Sequence, residues 1–107
     1  MKVHAELGAG FLESVYQEAL EKQFLKDNIL YKREEKLRVK FDSALLDKYF
    51  KADFICYDSI IIELKATPFI YPKDVAQTLN YIKATDFKLG LLVCFGSKSL
   101  IYKRVVH

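Results

Sequence analysis

The stretch Ser59-Ile60-Ile61-Ile62-Glu63-Leu64-Lys65-Ala66 sets a carboxylate and an ammonium inside an apolar run. Read as a strand, it sends alternate side chains to opposite faces. Ile60, Ile62 and Leu64 then share one face, while Ile61, Glu63 and Lys65 share the other. Charged groups on such a strand are expensive to bury unless something compensates them. Taken alone, Glu63 and Lys65 read as an ion pair at the solvated end of a strand.

The preceding apolar run changes that reading. Ala52-Asp53-Phe54-Ile55 places a second carboxylate in a neighbouring strand. Two carboxylates converging on one sheet end repel each other, and a divalent cation is the natural counterweight. Mg2+ fits best, because it takes one or two carboxylates and leaves other positions to water or phosphate. Asp53 and Glu63 would supply two ligands and the main-chain carbonyl of Leu64 a third. Such an ion acidifies water and stabilises charge on a scissile phosphate. Lys65 would orient or help deprotonate that water, or balance the developing negative charge.

This constellation carries a geometric condition. With a two-residue turn at Asp58-Ser59, Asp53 would face Leu64 and lie on the opposite side of the sheet from Glu63. A three-residue connection or a bulge returns Asp53 to the face of Glu63.

Around this segment the hydrophobic periodicity predicts a helix over residues 9–27, with Leu12, Val15, Tyr16, Ala19, Leu20 and Phe24 on its apolar stripe. Gly8 and Gly10 leave open whether helix extends back through Val3 to Leu7. Tyr31–Phe41 alternates as a half-exposed strand, residues 42–46 form a turn, and strands follow at 48–57 and 59–66. Pro72 opens a helix to about Thr85, with Val75, Ala76, Leu79 and Ile82 as its buried stripe. Leu89–Phe95 reads as a central strand and Leu100–Val106 as the last one. The order helix, three strands, helix, two strands predicts an α/β (α+β) fold with a mixed central sheet flanked by helices.

At 107 residues the chain suits one domain spanning 1–107. A net charge of +3 is too small to argue for a nucleic-acid partner. Its distribution is more telling, since Lys32, Arg33, Lys36, Arg38 and Lys40 crowd one stretch. That stretch reads either as a solvated strand face or as a track for a phosphate backbone. Cys56 and Cys94 lie in apolar runs and are expected to be buried, reduced thiols. With no apolar run near the ~20 residues of a membrane span and no leader pattern, the chain is expected to be cytoplasmic.

The motifs taken together resemble a known family. Gly10-Phe11-Leu12-Glu13-Ser14-Val15-Tyr16 is a G-x-x-E-x-x-Y string. Ala52-Asp53, Ile62-Glu63-Leu64-Lys65-Ala66, Gln77-Thr78-Leu79-Asn80-Tyr81, Gly90-Leu91-Leu92 and Phe95-Gly96 follow it in order. The whole is similar to the GxxExxY proteins, small prokaryotic members of the PD-(D/E)XK nuclease superfamily, and within it resembles the branch holding RecB-type exonuclease domains. The resemblance implies a restriction-endonuclease-like core and divalent-metal phosphodiester chemistry at Asp53, Glu63 and Lys65. Relatives begin their first helix further upstream of the residue matching His4.

The resemblance adds supporting residues. Glu13 would reach the metal directly or through water, although spacing alone favours a boundary glutamate bonded to Tyr16 or a lysine. Gln77 and Tyr81, four apart on one helical face, would contact substrate phosphate or orient Lys65 and Glu63. Tyr16 reads as a packing residue with a bonded hydroxyl rather than as a catalyst. Phe69, Ile70 and Tyr71 form an apolar loop suited to a base or a partner protein. The expected function is a Mg2+-dependent nuclease, with Mn2+ able to substitute, acting on DNA in preference to RNA. The alternative is a non-catalytic nuclease-fold module that binds nucleic acid or a protein partner. A homodimer is compatible with either.

Overall fold

In the computed structural model, which describes residues 1–107, Gly8 and Gly10 split the amino-terminal helical region in two. Both adopt positive φ, 67° and 112°, which a right-handed helix cannot accommodate. Helix α1 spans Lys2–Leu7 and helix α2 spans Glu13–Lys26, so the single helix predicted over 9–27 starts later than its periodicity suggests. Leu12, expected on the buried stripe, is instead the N-cap and is 75% exposed. The loop between the helices is pinned from below by Tyr16. Its hydroxyl donates to the Gly8 carbonyl at 2.6 Å and accepts the Phe11 N–H at 3.2 Å, while its ring stacks on Phe95 at 4.4 Å.

Strands β1 (Tyr31–Phe41) and β2 (Ala44–Cys56) form a long hairpin. Asp42 and Ser43, at φ 53° and 65°, make a two-residue turn that lets Phe41 pair with Ala44. The turn expected over 42–46 is therefore shorter, and β2 starts at Ala44 rather than residue 48. Then come β3 (Ile60–Lys65), helix α3 (Pro72–Ala84), β4 (Leu89–Cys94) and β5 (Ile101–Val106).

The five strands lie in the order β1-β2-β3-β4-β5, antiparallel except for the β3–β4 pair. A parallel pair needs a long crossover, which α3 supplies. The sheet is thus mixed and the fold α/β, as predicted. Tyr16, Leu20 and Phe24 of α2 pack on Phe54, Ile62, Leu64 and Val93 at one face. On the other face Ile82 of α3 packs with Ala52, Ile55, Ile61 and Val105.

The buried stripe of α3 is rotated from the expected one. Asp74, Thr78 and Ile82 are buried, with Val75 and Leu79 half-buried beside them and Ala76 exposed. Gly90 permits this, because a Cβ there would lie 2.7 Å from Thr78 Cγ2. Both cysteines are buried and free. No helix is long and apolar enough to cross a membrane.

Candidate active site

Cys56 pairs with Ile60, so the β2–β3 connection has three residues, Tyr57, Asp58 and Ser59. Tyr57 and Asp58 take left-handed φ of 55° and 51°, and the Ser59 N–H closes the turn on the Cys56 carbonyl at 3.0 Å. The register then runs Ile55↔Ile61 and Phe54↔Ile62, which brings Asp53 beside Glu63. The geometric condition set by the sequence is met.

A second irregularity aims the Asp53 side chain. Phe54 belongs to the core under α2 and Ala52 to the core under α3, although residues two apart in a flat strand share a face. The β1–β2 ribbon therefore turns over at Asp53, where Glu34 on the neighbouring strand adopts φ 53°. Strand pairing between β2 and β3 ends at Phe54↔Ile62, and the Leu64 N–H donates to Asp53 Oδ2 at 2.7 Å instead of to a main-chain carbonyl. The N–H and C=O of a strand residue point to the same side. The Leu64 carbonyl thus opens toward the same fork as the Asp53 carboxylate.

Glu63 stands next to this group, 9% exposed, and its Oε1 is buried without a hydrogen-bond partner. Burial pushes its carboxyl up to about 8, the Asp53 charge adds to the rise, and Lys65 opposes it. Asp53 is also raised, chiefly by burial, with the Leu64 N–H pulling the other way. The two carboxyl groups are close enough for Glu63, when protonated, to donate to Asp53. Both ionised forms together are unfavourable here unless a cation joins them.

Lys65 is one-quarter exposed and lies 3.8 Å from Asp74 Oδ1, a buried carboxylate in the first turn of α3. Asp74 was missed from sequence. Its signal was an acidic residue just after Pro72, where the start of a helix favours negative charge. Tyr81 is raised by burial and then by Glu63 and Asp53, which places its hydroxyl near the carboxylate pair. Its ring stacks on Phe50 with centroids 3.7 Å apart. Gln77 sits one turn earlier on α3 and is exposed.

Glu13 opens α2 and is exposed as a residue, but partial burial of its carboxyl raises its pKa. Lys65 lowers it and Asp53 raises it, so Glu13 belongs to the same electrostatic cluster. It does not join Asp53 and Glu63 in a three-carboxylate cage, and no other trio of acidic, His or Cys side chains converges. The donor set in hand is two carboxylates and one carbonyl, which suits a hard cation that retains water. The thiols of Cys56 and Cys94 are pushed up by burial and take no part in it.

Residues 1–105 match the sequence model of the PD-(D/E)XK nuclease superfamily. No curated protein matches the chain. Among solved structures, the crystal structure of SSO0001 superposes with a TM-score of 0.67 at 16% identity, covering 88% of this chain and 50% of that one. An alkaline exonuclease, LHK-Exo from Laribacter hongkongensis, superposes with a TM-score of 0.62 at 11% identity, covering 88% and 55%. Both likenesses are of fold, and the chain spans about half the length of each.

Proposed function

The chain belongs to the PD-(D/E)XK nuclease superfamily, and from that premise we propose that it is a Mg2+-dependent nuclease hydrolysing DNA phosphodiesters at Asp53, Glu63 and Lys65. One observation carries the reading: a buried, unpartnered Glu63 oxygen beside a second carboxylate. Such an arrangement costs free energy in the protein alone and is relieved by a bound cation. Asp53, Glu63 and the Leu64 carbonyl would hold Mg2+ or Mn2+, with Glu13 acting through water. When bound, the ion supplies Lewis-acid activation of water and of the phosphate.

The protein's own residues then divide the remaining work. Asp53 is held in place by the Leu64 N–H at Oδ2, with the Glu63 carboxyl beside it to share a ligand. Lys65 carries its ammonium at the mouth of the site, where it orients the attacking water or offsets charge on the phosphate. Asp74 restrains Lys65 from the opposite side. Tyr81 and Gln77 line the α3 side and contact substrate phosphate.

We further assign the chain to the GxxExxY-type, RecB-like branch on Gly10, Glu13, Tyr16, Gln77 and Tyr81, acting as one cytoplasmic domain of a prokaryotic protein. The test is cleavage of plasmid, linear duplex, single-stranded DNA and RNA with and without Mg2+ or Mn2+. Activity should require the ion and disappear in Glu63→Ala and Lys65→Ala variants with unchanged circular dichroism. Cleavage that survives both substitutions would assign the activity elsewhere. Absence of Mn2+ binding at millimolar concentration would instead favour a non-catalytic module.

A further inference from the structure

The sheet is interrupted at the residue whose side chain must be aimed. Between β1 and β2 the register pairs Arg33 with Phe54 and Glu35 with Ala52, passing over Glu34 and Asp53. Between β2 and β3 it ends at Phe54↔Ile62, before reaching Asp53. The backbone of Asp53 is held as well from helix α2, where Gln17 Nε2 donates to the Asp53 carbonyl at 3.3 Å. Gln17 is 7% exposed, and a buried amide is costly unless its polar groups are bonded.

Two partners fix which way the Gln17 amide points. A guanidinium only donates hydrogen bonds and a carbonyl only accepts them. Arg33 Nη2 donates to Gln17 Oε1 at 3.4 Å, which leaves the amide nitrogen facing the Asp53 carbonyl. Glu21 holds Arg33 in turn. Arg33 Nη1 donates to Glu21 Oε1 at 2.9 Å, and the Tyr31 hydroxyl donates to Glu21 Oε2 at 3.0 Å. Glu13, Gln17 and Glu21 recur every four positions and so line one face of α2. This row carries Glu13 to the carboxylate cluster, Gln17 to the Asp53 backbone and Glu21 to Arg33.

We propose that Gln17 is a positioning residue for Asp53, fixing through the Asp53 carbonyl the backbone from which that carboxylate projects. The carbonyl carbon and the carboxylate-bearing Cβ share one Cα, so holding the first narrows where the second can point. The Leu64 N–H then meets the carboxylate at Oδ2. Arg33 and Glu21 keep the amide from turning over, since a reversed amide would set its NH2 against a guanidinium and its oxygen against a carbonyl. Residues that orient a ligand matter to metal affinity although they never touch the ion. The proposal rests on reading Asp53 as a metal ligand, but its structural half can be measured without any metal.

The experiment uses the whole chain with two substitutions, Gln17→Glu and the similarly sized Gln17→Met. At neutral pH neither side chain donates to the Asp53 carbonyl, and the two differ in charge. Amide hydrogen exchange is followed in EDTA at Leu64, whose N–H reports where the Asp53 carboxylate sits. Leu92, buried in β4, reports general loosening. Calorimetric titration gives Mn2+ affinity. In both variants Leu64 should exchange at least about tenfold faster with Leu92 unchanged, and Mn2+ affinity should fall about tenfold or more. The fall in Gln17→Glu is diagnostic, because an added negative charge near a cation site would by itself tighten binding. Wild-type exchange at Leu64, equal acceleration at Leu64 and Leu92, a variant that fails to fold, or tighter Mn2+ binding in Gln17→Glu would overturn the assignment. So would faster exchange at Leu64 with Mn2+ affinity unchanged. A wild type that binds no Mn2+ defeats the metal reading alone, and exchange at Leu64 still decides whether Gln17 holds Asp53.

Discussion

The Asp53 carboxylate accepts the main-chain N–H of Leu64 at 2.7 Å, replacing a rung of the β2–β3 ladder with a side chain. This bond separates the structural role of Asp53 from its charge. Asparagine preserves the acceptor oxygen and removes the charge, whereas alanine removes both. Asp53→Asn should therefore fold with near wild-type stability yet lose Mn2+ affinity and at least a hundredfold in cleavage rate. Asp53→Ala should lose the same activity and also about 1–3 kcal/mol of stability, the cost of an unsatisfied buried donor. Calorimetric Mn2+ titration and urea unfolding of the pair check this. Equal destabilisation by both variants would show that the charge, not the hydrogen bond, holds the fork.

The raised carboxyl of Glu63 predicts how stability follows pH. Its folded value of about 8 lies above an unfolded value near 4.5, so the folded state holds its proton more tightly. That contribution is complete below pH 4.5 and is lost as pH rises through about 8, by at most about 5 kcal/mol. Asp53 and Glu13 shift in the same direction. In EDTA the wild type should be less stable in urea at pH 8.5 than at pH 5. Glu63→Gln should flatten most of that dependence and be the more stable protein at pH 8.5. Mn2+ should bind more tightly as pH rises and release protons to the buffer. A wild-type stability that is flat or rising over this interval would contradict the assignment.

The parts of the fold that rest on periodicity were legible in advance. The alternation of Tyr31–Phe41, the apolar run at Leu89–Phe95 and the helix opened by Pro72 each state their own geometry. The candidate site was legible as a pattern, because Asp53 and Glu63 are charges where the pattern calls for apolar side chains. What the pattern could not carry was how the ribbon twists. Ala52 and Phe54 pack on opposite sides of the sheet, which strict alternation forbids, and only the left-handed Glu34 backbone marks the reversal. Asp74 was hidden for a different reason. It lies only nine residues beyond Lys65 but on the next element. The path of the 66–71 connection, which periodicity does not describe, is what brings the first turn of α3 back to Lys65. The rotated stripe of α3 likewise follows from Gly90, a long-range contact that no local window contains.

Asp74 gives a test of how Lys65 is positioned. The Nζ–Oδ1 separation of 3.8 Å is an ion pair without a direct hydrogen bond, and Asp74 is buried while Lys65 is partly exposed. Asp74→Asn keeps the side-chain shape but frees the ammonium to swing. Cleavage should fall about tenfold in kcat with KM and Mn2+ affinity little changed, since neither the carboxylate pair nor the α3 surface is altered. Asp74→Glu should recover part of the loss if restraint of Lys65 is the role. A fall in Mn2+ affinity equal to the fall in rate would make Asp74 part of the metal site instead.

Tyr16 links the amino-terminal glycines to the site. Its ring is fully buried against Phe95, and its hydroxyl bridges Gly8 and Phe11 across the break between the two helices. Those two bonds fix the loop whose last residue caps α2, so they fix where Glu13 enters. Tyr16→Phe keeps the stacked ring and removes only the bridge, leaving a carbonyl and an N–H to find water. The loss should be about 1–2 kcal/mol by urea unfolding. Cleavage should fall three- to tenfold through the displaced Glu13. Mn2+ affinity should hold within threefold, because Asp53 and Glu63 stand on β2 and β3 and the Tyr16 hydroxyl bonds to neither. Glu13→Gln should lower cleavage by a similar factor without the stability loss, and combining it with Tyr16→Phe should give little further loss of rate. Additive rate losses in the double variant would mean that Tyr16 reaches the site by a route other than Glu13.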